Sequence, residues 1–193
     1  MIECFGTWRF CETTLVLGSQ SRTLRVAARL QARRDRGPMY SLALVLHSWL
    51  RWVVLVLALV AAGRGVAGNL KGRAWTSADP RVRLFTTIAL DIQLLLGLAL
   101  YFFLSPSTGQ ALQDFGAAMR TPALRYWAVG HSSTMLAAVV IAHIGNVMAR
   151  KAASDEARHR RSALFFGLVV LLLLLGMPWP GLPNGRPLIR FGI

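Results

Sequence analysis

The chain has 193 residues, with 22 Lys and Arg against 8 Asp and Glu, so it carries +14 at neutral pH while 54 % of it is hydrophobic and only 16 % is charged. Such hydrophobicity excludes intrinsic disorder, which requires an apolar-poor chain. It also argues against nucleic acid as a partner, because a nucleic-acid binder sets a basic face beside a modest core, whereas here long uncharged runs separate the charges.

Residues 1–38 hold Arg9, Arg22, Arg25, Arg29, Arg33, Arg34 and Arg36. Their apolar run, 14–18, is too short for a signal-peptide core. Cys4 and Cys11 are too few for a disulfide framework and lack the second half of a zinc pattern. Two readings follow. Translation starts at Met39, directly before the first apolar run, or the segment is a basic extension that lies on a membrane surface or docks on a partner, with 23–34 as an amphipathic helix. The charge balance discussed below favours Met39.

Four stretches then reach the length of about 20 apolar residues that a helix needs to cross a bilayer. They are 42–62 (interrupted by Arg51), 84–104 (interrupted by Asp91), 126–148 and 162–179. Five consecutive leucines, Leu171 to Leu175, rule out the alternation of a barrel strand. The sequence thus predicts an all-α polytopic membrane protein, a four-helix bundle over 39–182 with a short tail, 183–193. The connections 63–83 and 149–161 share Arg64, Lys71, Arg73, Arg81, Arg83, Arg150, Lys151, Arg158, Arg160 and Arg161, against Arg120, Arg125, Arg186 and Arg190 on the other side. Ten basic residues against four assign both connections to the cytoplasm and the bundle termini to the outside. Counting the seven arginines of 1–38 as outer would erase that asymmetry, hence the preference for Met39.

An ionisable residue inside a span is costly and therefore a functional candidate. His47 in span one and His131 in span three both sit about 10–12 Å below the outer end. Two imidazoles at one depth on different helices suit the axial ligation of a b-type haem iron. Arg51, one turn below His47 on the same face, suits a propionate or another anion. The bland alternative is that both histidines only hydrogen-bond within the bundle. His143 and Asp91 share a deeper level, which fits structural pairing or proton handling. His159 falls in the Arg-rich connection, so at most one bis-histidine haem is expected. Span two also carries Thr87, Gln93, Gly97 and Tyr101. Span four is apolar around its whole circumference, so it is expected to face lipid or a partner and to add no chemistry. It is expected to stop at Met177-Pro178-Trp179-Pro180. Trp49 and Trp52 read as packing residues, and 105–122, with a short amphipathic piece at 112–119, as a cap over the outer site. No phosphate loop, catalytic triad, metal cluster or carboxylate pair supports soluble-enzyme chemistry.

Certain motifs carry a family likeness: His47-Ser48-Trp49-Leu50-Arg51-Trp52, Gln93-Leu94-Leu95-Leu96-Gly97-Leu98 with Tyr101, His131 in a span opening with Leu124-Arg125, and Pro178-Trp179-Pro180. Over roughly 39–180 the chain resembles small bacterial four-helix membrane proteins labelled cytochrome b-like. The resemblance implies four spans in the bacterial cytoplasmic (inner) membrane and a haem held by His47 and His131. The chain departs from that family in carrying Asp91 where another histidine is expected and Gly130 where an acidic residue is expected. The leading expectation is an electron carrier, not a stand-alone catalyst, with one haem b passing electrons between a quinol and a redox partner. The alternative is a cofactor-free accessory subunit of a larger respiratory or photosynthetic complex. A proton-coupled carrier built on Asp91 and His143 is weaker, because no broken helices or repeat halves are present.

Overall fold

Apolar segments of this length leave their backbone N–H and C=O groups without water to bond, and a helix satisfies them within the segment itself. The computed structural model describes the backbone of residues 8–182 and 184–189, and side chains from residue 37 onward within that range. The expected amphipathic face over 23–34 and the tail residue Arg190 lie outside the described side chains. The chain divides into two compact units, residues 1–39 and 40–193, and the bundle and its site lie in the second.

The helices are α1 (Trp8–Leu70), α2 (Ala78–Ala99, continued by a π-helical turn Leu100–Leu104), α3 (Pro106–Gln113), α4 (Phe115–Arg120), α5 (Pro122–Arg125, continued by a π-helical turn Tyr126–Gly130), α6 (His131–Arg150) and α7 (Asp155–Gly176). Among the described residues four segments are long and apolar enough to span a membrane: Gly37–Leu70, Ala78–Leu104, Pro122–Arg150 and Asp155–Gly176. The chain is an all-α, multi-pass membrane protein.

Local chemistry moves the helix ends away from the edges of the apolar runs. The second span starts at Ala78 rather than 84, because Thr76 and Asp79 close a capping turn in which the Thr76 N–H donates to Asp79 Oδ2 at 2.8 Å. The fourth starts at Asp155 rather than 162. Ser154 Oγ accepts from the Ala157 N–H at 3.2 Å, and Asp155 and Glu156 place negative charge in the first turn. His159 therefore lies inside α7 and not in a connection, which corrects the sequence reading. The fourth span ends at Gly176 rather than 179, because Pro178 has no N–H with which to continue the helix. The connection 105–122 folds into α3 and α4, and Ala111, Ala118 and Ala128 seal them onto the start of the third span.

Contacts along the spans put the helices in a ring. Gln93 Nε2 on α2 donates to the His47 carbonyl of α1 at 3.0 Å. Asn146 Nδ2 on α6 donates to Thr87 Oγ1 on α2. At Gly65 of α1 an added Cβ would lie 2.5 Å from the backbone nitrogen of Ala163 on α7, so only glycine permits that crossing. One core serves all four spans: Val54, Leu55 and Ala58 meet Leu90, Ala138 and Ala142, and Phe166 and Val169 of α7. Span four is thus one-sided despite its uniform composition, with Phe166 and Val169 fully buried and Leu175 69 % exposed.

Candidate functional site: a histidine pair in an intrabundle cavity

The end of α7 is where the site is built. The last carbonyls of a helix have no intrahelical donor, and Pro178 removes the N–H that would have reached Leu174. Trp179 Nε1 donates to the Leu174 carbonyl instead, at 2.7 Å. The Gly176 carbonyl accepts from Tyr126 Oη at 2.9 Å and from His131 Nδ1 at 2.8 Å. A carbonyl only accepts, so His131 Nδ1 carries the proton, and in the neutral ring the lone pair is on Nε2. Gly176 also keeps α6 close, since an added Cβ would stand 3.0 Å from Thr134 Cγ2.

Opposite His131 stands His47. The two ring centroids are 6.3 Å apart with the ring planes at 68°. Gly97 of α2 backs His47: a Cβ there would lie 3.3 Å from His47 Cε1. The sequence expectation that α1 and α6 bring these side chains to one level therefore corresponds to direct proximity. Both line a cavity of about 440 Å³ that also touches Gln93, Tyr101, Trp127 and Arg186. That volume lies within the roughly 300–1,000 Å³ of small-molecule sites. His47 Nδ1, Gln93 Oε1 and Arg51 Nε are buried without hydrogen-bond partners among the described residues. Unpartnered buried polar atoms are costly unless something else serves them.

The spacing of the two rings matches that of two imidazoles on one metal. With metal–nitrogen bonds of about 2 Å and a ring radius of roughly 1.2 Å for bonds of about 1.3 Å, two ligating rings have centroids about 6.4 Å apart. His131 also has the outer-shell feature of a ligand, a backbone carbonyl that fixes its tautomer and orientation. Among the described residues no group of three His, Cys, Asp or Glu could hold a metal.

Cations frame the opening. Arg186 lies over the Trp127 ring at 4.9 Å. Arg51 is half committed: its Nη2 donates to the Pro187 carbonyl at 3.2 Å and to that of Leu188, while Trp52 Nε1 donates to Leu188 at 3.0 Å. Arg51 thus straps the tail to α1 as well as lining the cavity. Thr108 of α3 lines the cavity too and donates to the Tyr101 carbonyl at 2.7 Å, which makes the 105–122 connection part of the wall.

Asp91 and His143 meet as expected, with His143 Nε2 2.9 Å from Asp91 Oδ1. They face outward, away from the cavity, with their side chains 44 % and 54 % exposed.

Two parts of this picture were not read from sequence. The Gly176 carbonyl was missed because span four was taken to have no chemistry; the Pro178-Trp179-Pro180 break, which frees carbonyls at that end, was the available signal. The other is a network at the opposite end of the bundle. Asp79, 4 % exposed, accepts from Arg64 Nε at 2.9 Å, Arg73 Nη2 at 2.8 Å, and the Thr76 N–H and hydroxyl at 2.8 and 2.7 Å. The Thr76-x-x-Asp79 spacing signalled it. No protein-family model, curated protein or solved structure matches the chain.

Proposed function

We propose that the chain is a cytochrome b-like membrane electron carrier in which His47 and His131 hold one haem b, exchanging electrons with a quinol and a second membrane redox partner. The observation that carries this reading is the convergence of two imidazoles from α1 and α6 to 6.3 Å in one cavity, with His131 Nδ1 anchored on the Gly176 carbonyl. When bound, a haem supplies reversible one-electron chemistry without a proton-transfer residue of its own. The chain's residues do the rest. The Gly176 and Tyr126 contacts hold His131 in the tautomer that leaves Nε2 free to ligate. Arg51 and Arg186 offer guanidinium donors for carboxylates. Leu90, Leu94, Val139 and Leu173 line the cavity with apolar side chains and would exclude water from a bound ring.

The reading extends to topology. The Arg- and Lys-rich connections 63–83 and 149–161 belong on the cytoplasmic side of the inner membrane by the positive-inside rule, which puts the histidine pair near the outer face. The resemblance to cytochrome b-like bacterial proteins is consistent with this reading.

The test is a reduced-minus-oxidised absorption spectrum of the detergent-purified chain with a pyridine haemochrome assay. The expected result is a b-type signal near one haem per chain that disappears in both His47→Ala and His131→Ala. A chain that stays colourless when expressed with ample haem, or haem retained in both variants, overturns the assignment. A colourless chain would support the accessory-subunit reading.

A further inference from the structure

The Asp91–His143 pair is used neither by the cavity nor by the core. It stands on the outward face where α2 and α6 run side by side. A turn away on either side, the exposed neighbours are large and apolar: Ile88 and Leu95 on α2, Val140 and Val147 on α6. Asp91 and His143 lie within segments that span the membrane. A polar, ionisable pair ringed by apolar side chains at that depth should not face hydrocarbon, where neither group finds further hydrogen-bond partners. Each carboxylate accepts several hydrogen bonds and each imidazole has two nitrogens. Among the described residues the pair makes one mutual contact, which leaves most of that capacity unused.

We propose that two copies of this chain pair within the bilayer through the α2–α6 face, with the two Asp91–His143 pairs meeting at the centre of the contact. The face is self-complementary, and that selects a second copy as its occupant. Copies inserted by the same rule share one orientation, so their symmetry axis must run along the membrane normal. A two-fold rotation about that axis brings α2 of one copy opposite α6 of the other at unchanged depth. Asp91 then opposes His143 of the second copy and His143 opposes its Asp91, giving four groups in alternating order. Within one copy α2 and α6 are antiparallel, as the Thr87–Asn146 and Asp91–His143 contacts demonstrate. Ile88 therefore shares a level with Val147, and Leu95 with Val140, so the rotation sets large apolar residues against each other around the polar centre. Such a polar core inside an apolar rim specifies register as well as adhesion.

The test uses the full chain reconstituted in lipid nanodiscs and reads mass and cross-linking, so it is independent of the haem assignment and of any colour. The wild type is expected to be a dimer by light scattering. In a Cys4→Ser, Cys11→Ser background, copies with Ile88→Cys mixed with copies with Val147→Cys should form a disulfide-linked pair. Combining Asp91→Leu with His143→Leu should weaken dimerisation at least tenfold while helicity is retained. The exchanged variant, Asp91→His with His143→Asp, keeps the alternation and should remain dimeric, which separates loss of the interface from loss of the fold. A monomeric wild type, a heterologous subunit that copurifies on this face, absence of the Ile88–Val147 cross-link, or a leucine double variant that dimerises as well as wild type would each overturn the proposal.

Discussion

Histidine sits at both ends of the bundle, partly buried at one and fully buried at the other. At one end His131 spends one nitrogen on the Gly176 carbonyl and turns its ring to a cavity shared with His47. At the other end His159 is fully buried with neither ring nitrogen partnered among the described residues, and the Trp75 ring lies against it at 4.8 Å, tilted by 58°. Gly68 leaves the room its ring occupies, since a Cβ there would overlap it. Arg83 lies over the Trp75 ring at 5.0 Å, so an aromatic sits between a cation and an imidazole. A ring wedged between a glycine and an indole is a packing element. A ring held by one nitrogen beside an open cavity and a second imidazole is a ligand candidate. The two differ in burial and, more to the point, in what lies beside the free nitrogen.

The largest expected effect follows from that distinction. Replacing an outer-shell partner of a metal ligand costs 10–100-fold in affinity, so His131→Ala, which removes the ligand itself, should lower haem affinity by more than about 100-fold. His159→Ala should leave haem content unchanged. Its cost should be stability, about 2–4 kcal/mol for the cavity left beside Trp75 and Gly68, read by thermal unfolding in detergent. Haem loss in His159→Ala, or haem retained in His131→Ala, would erase the contrast between the two ends.

Asp79 sharpens the same comparison. Its carboxylate accepts from two arginines and Thr76 with its side chain 3 % exposed, while the arginines are about one-third exposed. Breaking a buried pair by removing one partner costs several kcal/mol, and the partial hydration of Arg64 and Arg73 reduces that figure. Asp79→Asn should therefore cost about 2–4 kcal/mol and leave the reduced-minus-oxidised spectrum untouched. A spectral change would mean that the two ends are coupled through α1 and α2.

Tyr126 tests the cavity end more gently. Tyr126→Phe removes one of the two donors to the Gly176 carbonyl and should cost about 1 kcal/mol, with haem retained because the His131 bond remains. If Tyr126→Phe loses haem as His131→Ala does, the carbonyl is positioned by Tyr126 and not by the end of α7.

The four spans were legible because length and hydropathy alone dictate them. The depth match of His47 with His131 and of Asp91 with His143 was legible because a rise of 1.5 Å per residue turns sequence offsets into levels. Which way a residue faces was not legible. Asp91 and His143 were at the right depth, but counting residues does not tell an outward face from an inward one on helices that are apolar nearly all round. Span four shows the same limit. Its composition gives no face, so Phe166, Val169 and the Gly176 carbonyl became inward only through contact with α1 and α6. The helix ends were misplaced for a different reason. Thr76, Asp79, Ser154 and Asp155 extend helices through polar residues by capping, and a hydropathy boundary ignores capping.

Arg51 gives the smallest and most discriminating prediction, because it serves the tail and lines the cavity at once. Its donation to the Pro187 and Leu188 carbonyls is one anchor for that segment; the indole of Trp52 is another. Arg51→Gln should cost about 0.5–1.5 kcal/mol and loosen the tail without releasing it. The readout is amide exchange at Gly185 and Arg186, whose N–H groups donate to the Leu182 carbonyl at 2.8 Å and the Pro178 carbonyl at 3.0 Å. Faster exchange there with unchanged haem affinity would make Arg51 a strap. Unchanged exchange with weaker haem binding would make it an anion partner of the cavity. Both effects together are expected, since a guanidinium has five donors and the tail carbonyls engage only Nη2.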